Sequence, residues 1–200
     1  RDFMFTKPVT IKPYNEEKVV IDGRNRDQKL SNRAAFDIRD SQHIVIEGLE
    51  IRNIETDDRN LYPAGILIRG QSKHITIANN NVHHIQNTNK RGNAHGILVY
   101  GNNPVAIENI IIKNNLIHHL TVGRSESLTV SGNVDKFQII RNRLYDNNNI
   151  GIDIAGYYGA CDEEGCIDVA RNGVVAYNSV LRHSSQFNIA YDGSTSAPGI

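Results

Sequence analysis

Ile75-Thr76-Ile77-Ala78-Asn79-Asn80-Asn81-Val82-His83-His84 is the stretch that decides the fold, because it returns as Ile110-Ile111-Ile112-Lys113-Asn114-Asn115-Leu116-Ile117-His118-His119. Both copies read apolar, any residue, apolar, two residues, Asn, any residue, apolar. The frame recurs at Phe137, Ile139, Asn142 and Leu144, and more weakly at Gly173, Val175, Asn178 and Val180. An earlier copy, Ile44, Ile46, Leu49 and Ile51, carries Leu where the others carry Asn. Alternation with a period of two marks strands with one buried and one wet face. The Asn positions stand 35, 27 and 36 residues apart. A second short strand precedes each copy: Phe36-Asp37-Ile38, Gly65-Ile66-Leu67-Ile68, Gly96-Ile97-Leu98-Val99, Leu128-Thr129-Val130 and Gly151-Ile152-Asp153-Ile154.

A repeat of two or three short strands at this spacing has few architectural solutions. The Leu-rich consensus of leucine-rich repeats is absent, and propeller blades need four strands in about 40–50 residues. A right-handed parallel β-helix fits, an all-β solenoid in which each coil stacks equivalent residues on those of the next. Ile and Val then fill the interior. Asn tolerates a left-handed backbone at a bend and can hydrogen-bond its own kind in the next coil. Asn80, Asn115, Asn142 and Asn178 are therefore expected to form a turn ladder. His84 and His119 share one repeat position with Asp146, beside His83 and His118. Their common register predicts a stacked surface ladder, with metal binding as the alternative. The loops Thr56–Tyr62, Gln86–Asn93 and Tyr157–Asp168 interrupt the coil, and such insertions often build a solenoid's binding face.

Composition agrees. The 200 residues include 24 Asn and 26 Ile but no Trp, a usage suited to short strands and tight turns. Lys plus Arg and Asp plus Glu each number 22, and the zero net charge argues against a nucleic-acid or anionic-membrane partner. No apolar run reaches the roughly 20 residues of a membrane span. Nothing marks a second domain, so residues 1–200 read as one β-helix domain, with residues 1–23 as a less regular coil. Arg1 at the start and Pro198-Gly199-Ile200 at the close read as a processed or partial chain, lacking terminal coils. Cys161 and Cys166 flank an acidic loop, where a local disulfide competes with two free thiols.

Several stretches carry a family resemblance: Val9-Thr10-Ile11-Lys12-Pro13-Tyr14, Lys18-Val19-Val20-Ile21-Asp22-Gly23, the run from His43 to Asn53, and Asn149-Ile150-Gly151-Ile152-Asp153. With the coil repeat, they resemble bacterial right-handed parallel β-helix proteins of the polysaccharide-lyase type, such as pectate lyase family 9 and chondroitinase B. The resemblance implies a secreted, extracellular or cell-surface protein acting on acidic polysaccharide, commonly with Ca2+. It also implies an Asp cluster for calcium and a Lys or Arg as base.

Register arithmetic names the candidate residues. With Ile66, Ile97, Leu128 and Ile152 buried, the wet file between them is Asp37, Leu67, Leu98, Thr129 and Asp153. One step along come Arg39, Arg69, Tyr100 and Ser131. His95 and Glu126 stand 31 residues apart, as do Ile97 and Leu128, so they should be vertical neighbours. Cleaving a uronate by β-elimination requires neutralising its carboxylate and offering a base. His95, Glu126, Arg124 and Arg171 are the catalytic candidates. Glu126 with Asp153, and Asp162 with Glu163 in the cysteine loop, are the candidate cation ligands. Arg69, Tyr100 and Tyr157 are the candidate substrate contacts. The alternative is a His–carboxylate hydrogen bond that merely caps a coil, with Arg171 pairing Asp168. At the level of the whole chain, a non-catalytic surface, adhesin or carbohydrate-binding module competes with the lyase. So does a structural module that self-associates end to end through unpaired strand edges.

Overall fold

The computed structural model describes residues 4–24, 34–195 and 199–200. Arg1 and Pro198, on which the reading of a partial chain drew, lie outside the described residues. Strands follow one another in triplets. The first is β1 (Met4–Ile11), β2 (Val20–Asp22) and β3 (Ala34–Arg39). The second is β4 (Gln42–Glu47), β5 (Glu50–Thr56) and β6 (Ala64–Arg69). The third is β7 (Lys73–Ala78), β8 (Asn81–Asn87) and β9 (His95–Gly101). The fourth is β10 (Ile107–Lys113), β11 (Leu116–His118) and β12 (Leu128–Gly132). The fifth is β13 (Val134–Ile140), β14 (Arg143–Tyr145) and β15 (Ile152–Ala155), before β16 (Val174–Ala176) and β17 (Ser179–Leu181). A short 3-10 turn spans Ile189–Tyr191.

Every third strand pairs, always in parallel. Sheet A runs β1-β4-β7-β10-β13-β16, sheet B runs β2-β5-β8-β11-β14-β17, and sheet C runs β3-β6-β9-β12-β15. The chain is thus a parallel β-solenoid, as the repeat requires. The register is the one read from the sequence: Ile110 sits between Ile75 and Phe137, and Ile97 between Ile66 and Leu128. Stacked Ile46, Ile77, Ile112 and Ile139 are almost wholly buried. With Ile51, Val82, Ile117 and Leu144 from sheet B they form one continuous core. Each Ile shielded in this way contributes roughly 1.5–3 kcal/mol of apolar burial.

The Asn ladder closes the bend between sheets A and B. Asn115 Oδ1 accepts from Asn80 N at 3.0 Å and Asn80 Nδ2 at 3.1 Å, while Asn115 Nδ2 donates to Ile77 O and Asn142 Oδ1, both at 3.0 Å. Asn142 repeats the arrangement onto Asn178. Leu49 takes the same position in the second coil and donates its backbone N–H to Asn80 Oδ1. Residues just before the ladder, Asn79, Asn114, Arg141 and Tyr177, have φ between 55 and 59°. Asn stabilises that left-handed turn locally, whereas Arg141 and Tyr177 are held in it by the coils on which they stack.

Candidate functional site

Sheet C carries the candidate cluster. Its inner residues, Ile66, Ile97, Leu128 and Ile152, are buried in the core, and the file between them is Asp37, Leu67, Leu98, Thr129 and Asp153 in direct register. Two members expected to be wet are not: Leu67 is 7% exposed and Thr129 4%. Leu67 packs with Ala34, Ala64 and Leu98 in a small apolar patch separate from the main core. The outer face of sheet C is therefore partly covered.

His95 opens β9 and Thr129 lies in β12, one coil on. His95 Nδ1 is 3.0 Å from Thr129 Oγ1, and that hydroxyl donates to Glu126 Oε2 at 2.9 Å. One hydroxyl proton can serve only one acceptor, so His95 is the donor to Thr129. The sequence placed His95 and Glu126 together; the structure joins them through Thr129. Nothing in the sequence set Thr129 apart from the rest of its file, although its hydroxyl beside Asp153 was a weak signal.

Burial tunes these groups. It pushes His95 down to about 4, with the Glu126 backbone acting weakly the other way, so the ring is neutral at ordinary pH. Burial, reinforced by the charge of Asp153 and opposed by the Thr129 hydrogen bond, lifts Glu126 to about 7. Asp153 is also raised by burial. A carboxyl that titrates near neutrality is suited to taking or giving a proton.

The other candidates scatter. Arg69 makes a two-pronged pair with Asp37, at 2.8 and 2.6 Å, and Arg39 pairs with Asp40 at 3.0 Å. Both line a cavity of about 440 Å³ with Gly70, Gln71, Asn102 and Asn103. Tyr100 is raised by burial first and then by the charges of Asp168, Tyr62 and Asp162. Tyr157 is 83% exposed on the loop after β15. Asp162 and Glu163 are exposed within the loop closed by the Cys161–Cys166 disulfide. Arg124 is exposed, and its backbone N–H donates to Asn93 Oδ1 at 3.2 Å. Arg171 does not pair with Asp168. Its guanidinium donates to Asn133 Oδ1 at 2.9 Å and Val169 O at 3.2 Å, and lies 4.0 Å from Asp135. The reason is topological: Arg171 bridges Asp135 at the head of sheet A.

Among the described residues, no group of three or more His, Cys, Asp or Glu side chains is placed to hold a metal ion. Glu126 and Asp153 are two carboxylates without a third among the described residues, which falls short of the oxygen-rich shell that calcium takes. No helix among the described residues is long and apolar enough to cross a membrane.

The fold is a parallel β-solenoid, and beside sheet C it brings a half-buried carboxyl, a threonine and a buried histidine into one hydrogen-bonded chain. The chain is 39% identical over 167 residues, 84% of its length, to the uncharacterized protein YwoF of Bacillus subtilis (strain 168). It spans about a third of that relative, 35% of its length. No protein-family model matches the chain, and no solved structure matches it.

Proposed function

We infer that the chain is an extracellular polysaccharide-cleaving β-solenoid, acting on uronate-containing chains by β-elimination with Glu126 as the base. The observation that carries this reading is Glu126, lifted to about 7 in the loop that leads into β12 of sheet C and hydrogen-bonded through Thr129 to a neutral His95. A glycan running along the solenoid axis would cross about 5 Å per coil. Arg69, two coils from Thr129, then lies about 10 Å away along the axis, and the cavity it lines with Arg39 receives the carboxylate of a neighbouring sugar. Arg124, exposed two residues before Glu126, is the cation at hand for the reacting uronate.

In the reaction, Glu126 carboxylate takes the proton from C5. The electron pair of that bond forms the C4–C5 double bond, the C4–oxygen bond breaks, and water protonates the leaving oxygen. His95 holds Thr129, which orients Glu126. The disulfide supports the extracellular assignment, since such bonds persist in oxidising compartments.

A second reading rests on the Glu126–Asp153 interaction. The two carboxyls would act as acid and base in glycoside hydrolysis. Incubating the purified protein with a panel of uronate polysaccharides, with and without chelator, separates the readings. Elimination gives ultraviolet-absorbing unsaturated ends; hydrolysis gives reducing ends without that absorbance. Silence across the panel contradicts both and leaves a non-catalytic binding or structural module.

A further inference from the structure

Away from sheet C, four imidazoles gather on sheet B. Adjacent residues of a strand point to opposite faces. His84 and His119 escape that rule because each has φ of 53°, which turns its ring back beside the preceding histidine. The Nδ1 atoms of His83 and His84 are 2.6 Å apart, and those of His118 and His119 are 2.7 Å apart. The pairs stack one coil apart, with His83 over His118 at 4.8 Å and His84 over His119 at 5.5 Å. Tyr145 continues the first stack at 4.8 Å.

We propose that the His83–His84 and His118–His119 pairs bind a borderline divalent transition-metal ion such as Zn2+, Ni2+ or Cu2+, each pair chelating through its two Nδ1 atoms. Imidazole suits these ions. Two nitrogens at about 2.0–2.1 Å from one metal lie about 3 Å apart when they subtend a right angle. Each pair reaches that spacing by opening a few tenths of an ångström.

The outer ring nitrogens of His83 and His118 are anchored. His83 Nε2 lies 3.4 Å from Glu50 Oε1, and His118 Nε2 lies 3.0 Å from Asn81 Oδ1. Both partners are acceptors, so the ring hydrogen sits on Nε2 and Nδ1 carries the lone pair that faces the neighbouring histidine. This is the anchoring that carboxylates and carbonyls supply to metal-ligating histidines. In the metal-free protein, Nδ1–H of His84 or His119 donates to its neighbour's Nδ1. Moving that proton to Nε2 of the same exposed ring releases the second lone pair without net proton loss. No third His, Cys, Asp or Glu completes the set among the described residues, so the remaining positions belong to water or to an incoming ligand. Two dications one coil apart repel, so the first equivalent binds more tightly than the second.

The test is a Zn2+ titration of tag-free protein in competition with a chromophoric chelator. At least one equivalent should bind. The His84→Asn/His119→Asn double variant should bind at least about tenfold more weakly, on the scale of a disturbed metal site. Asn is compatible with the backbone, since Asn53 holds the same ladder position at φ 58°. On the wild type, Zn2+ should shift the 15Nδ1 resonances of His83 and His118 while leaving His95 unchanged. No uptake at submillimolar Zn2+, equal uptake by a folded double variant, or shifts confined to Nε2 would overturn the proposal. Glu126→Gln should leave uptake unchanged, which separates this site from the sheet C reading.

Discussion

Asn115→Ala should be among the most damaging single changes on the outer turns of the solenoid. The side chain accepts from Asn80 N and Nδ2 and donates to Ile77 O and Asn142 Oδ1. Two of these partners retain other bonds: Asn80 Nδ2 still donates to Ile46 O, and Asn142 Oδ1 still accepts from Asn115 N. Ile77 C=O loses one donor but stays within the β4–β7–β10 ladder, whereas Asn80 N–H is left beside a buried alanine. A stranded buried group costs about 1–3 kcal/mol, so the variant should lose about 1–3 kcal/mol. Asn178 makes the same kind of bonds to Asn142 and Ile139 but is only half-buried. Water can replace it, and Asn178→Ala should lose about 1 kcal/mol. Urea unfolding followed by far-ultraviolet circular dichroism measures both, with unchanged m-values licensing the comparison. A loss below about 1 kcal/mol for Asn115→Ala, or equal losses at the two positions, refutes the ladder as a burial-dependent stabiliser.

Three further outcomes follow from named contacts. Glu126 has an ordinary value of 4.5 unfolded and about 7 folded, so its contribution to stability falls as pH rises from 4.5 to 7, by up to about 3 kcal/mol. His95, lowered from 6.5 to about 4, works the other way and loses stability as pH falls through that range. The two slopes offset in the wild type; Glu126→Gln should expose the histidine slope alone in urea melts between pH 4 and 7. Thr129→Val keeps the volume but removes the link between His95 and Glu126 and the hydrogen bond that holds Glu126 down. Its pH–rate midpoint should rise above the wild-type value, with kcat reduced. Gly101→Ala would set a Cβ about 2.5 Å from Asn133 backbone atoms, closer than van der Waals contact allows. Overpacking of that kind should cost about 1–3 kcal/mol in the same melts.

Much of the solenoid is legible in the sequence because its rules are periodic. Ile75, Ile110 and Phe137 announce one file, and Asn80, Asn115 and Asn142 the bend beside it. The register then carries over to places with no motif, so His95 and Glu126 could be paired by counting alone. What the repeat cannot encode is the surface added by irregular loops. Leu67 reads as wet from its strand position and is buried by packing with Ala34, Ala64 and Leu98. Arg171 reads as a neighbour of Asp168 and instead bridges to Asp135, which is distant in sequence but adjacent across the coil. Thr129 is hidden for a different reason. A threonine suits any strand, and only the positions of His95 and Glu126 give its hydroxyl a task.

Proton abstraction from a uronate by Glu126, held near neutrality just before β12, is tested by the pH dependence of kcat/KM for unsaturated-product formation, wild type against Glu126→Gln. The rate should rise with pH through a midpoint of about 7, and the variant should lose that activity. A rate that falls above pH 7 would make Glu126 an acid, and full activity in Glu126→Gln would contradict the claim outright.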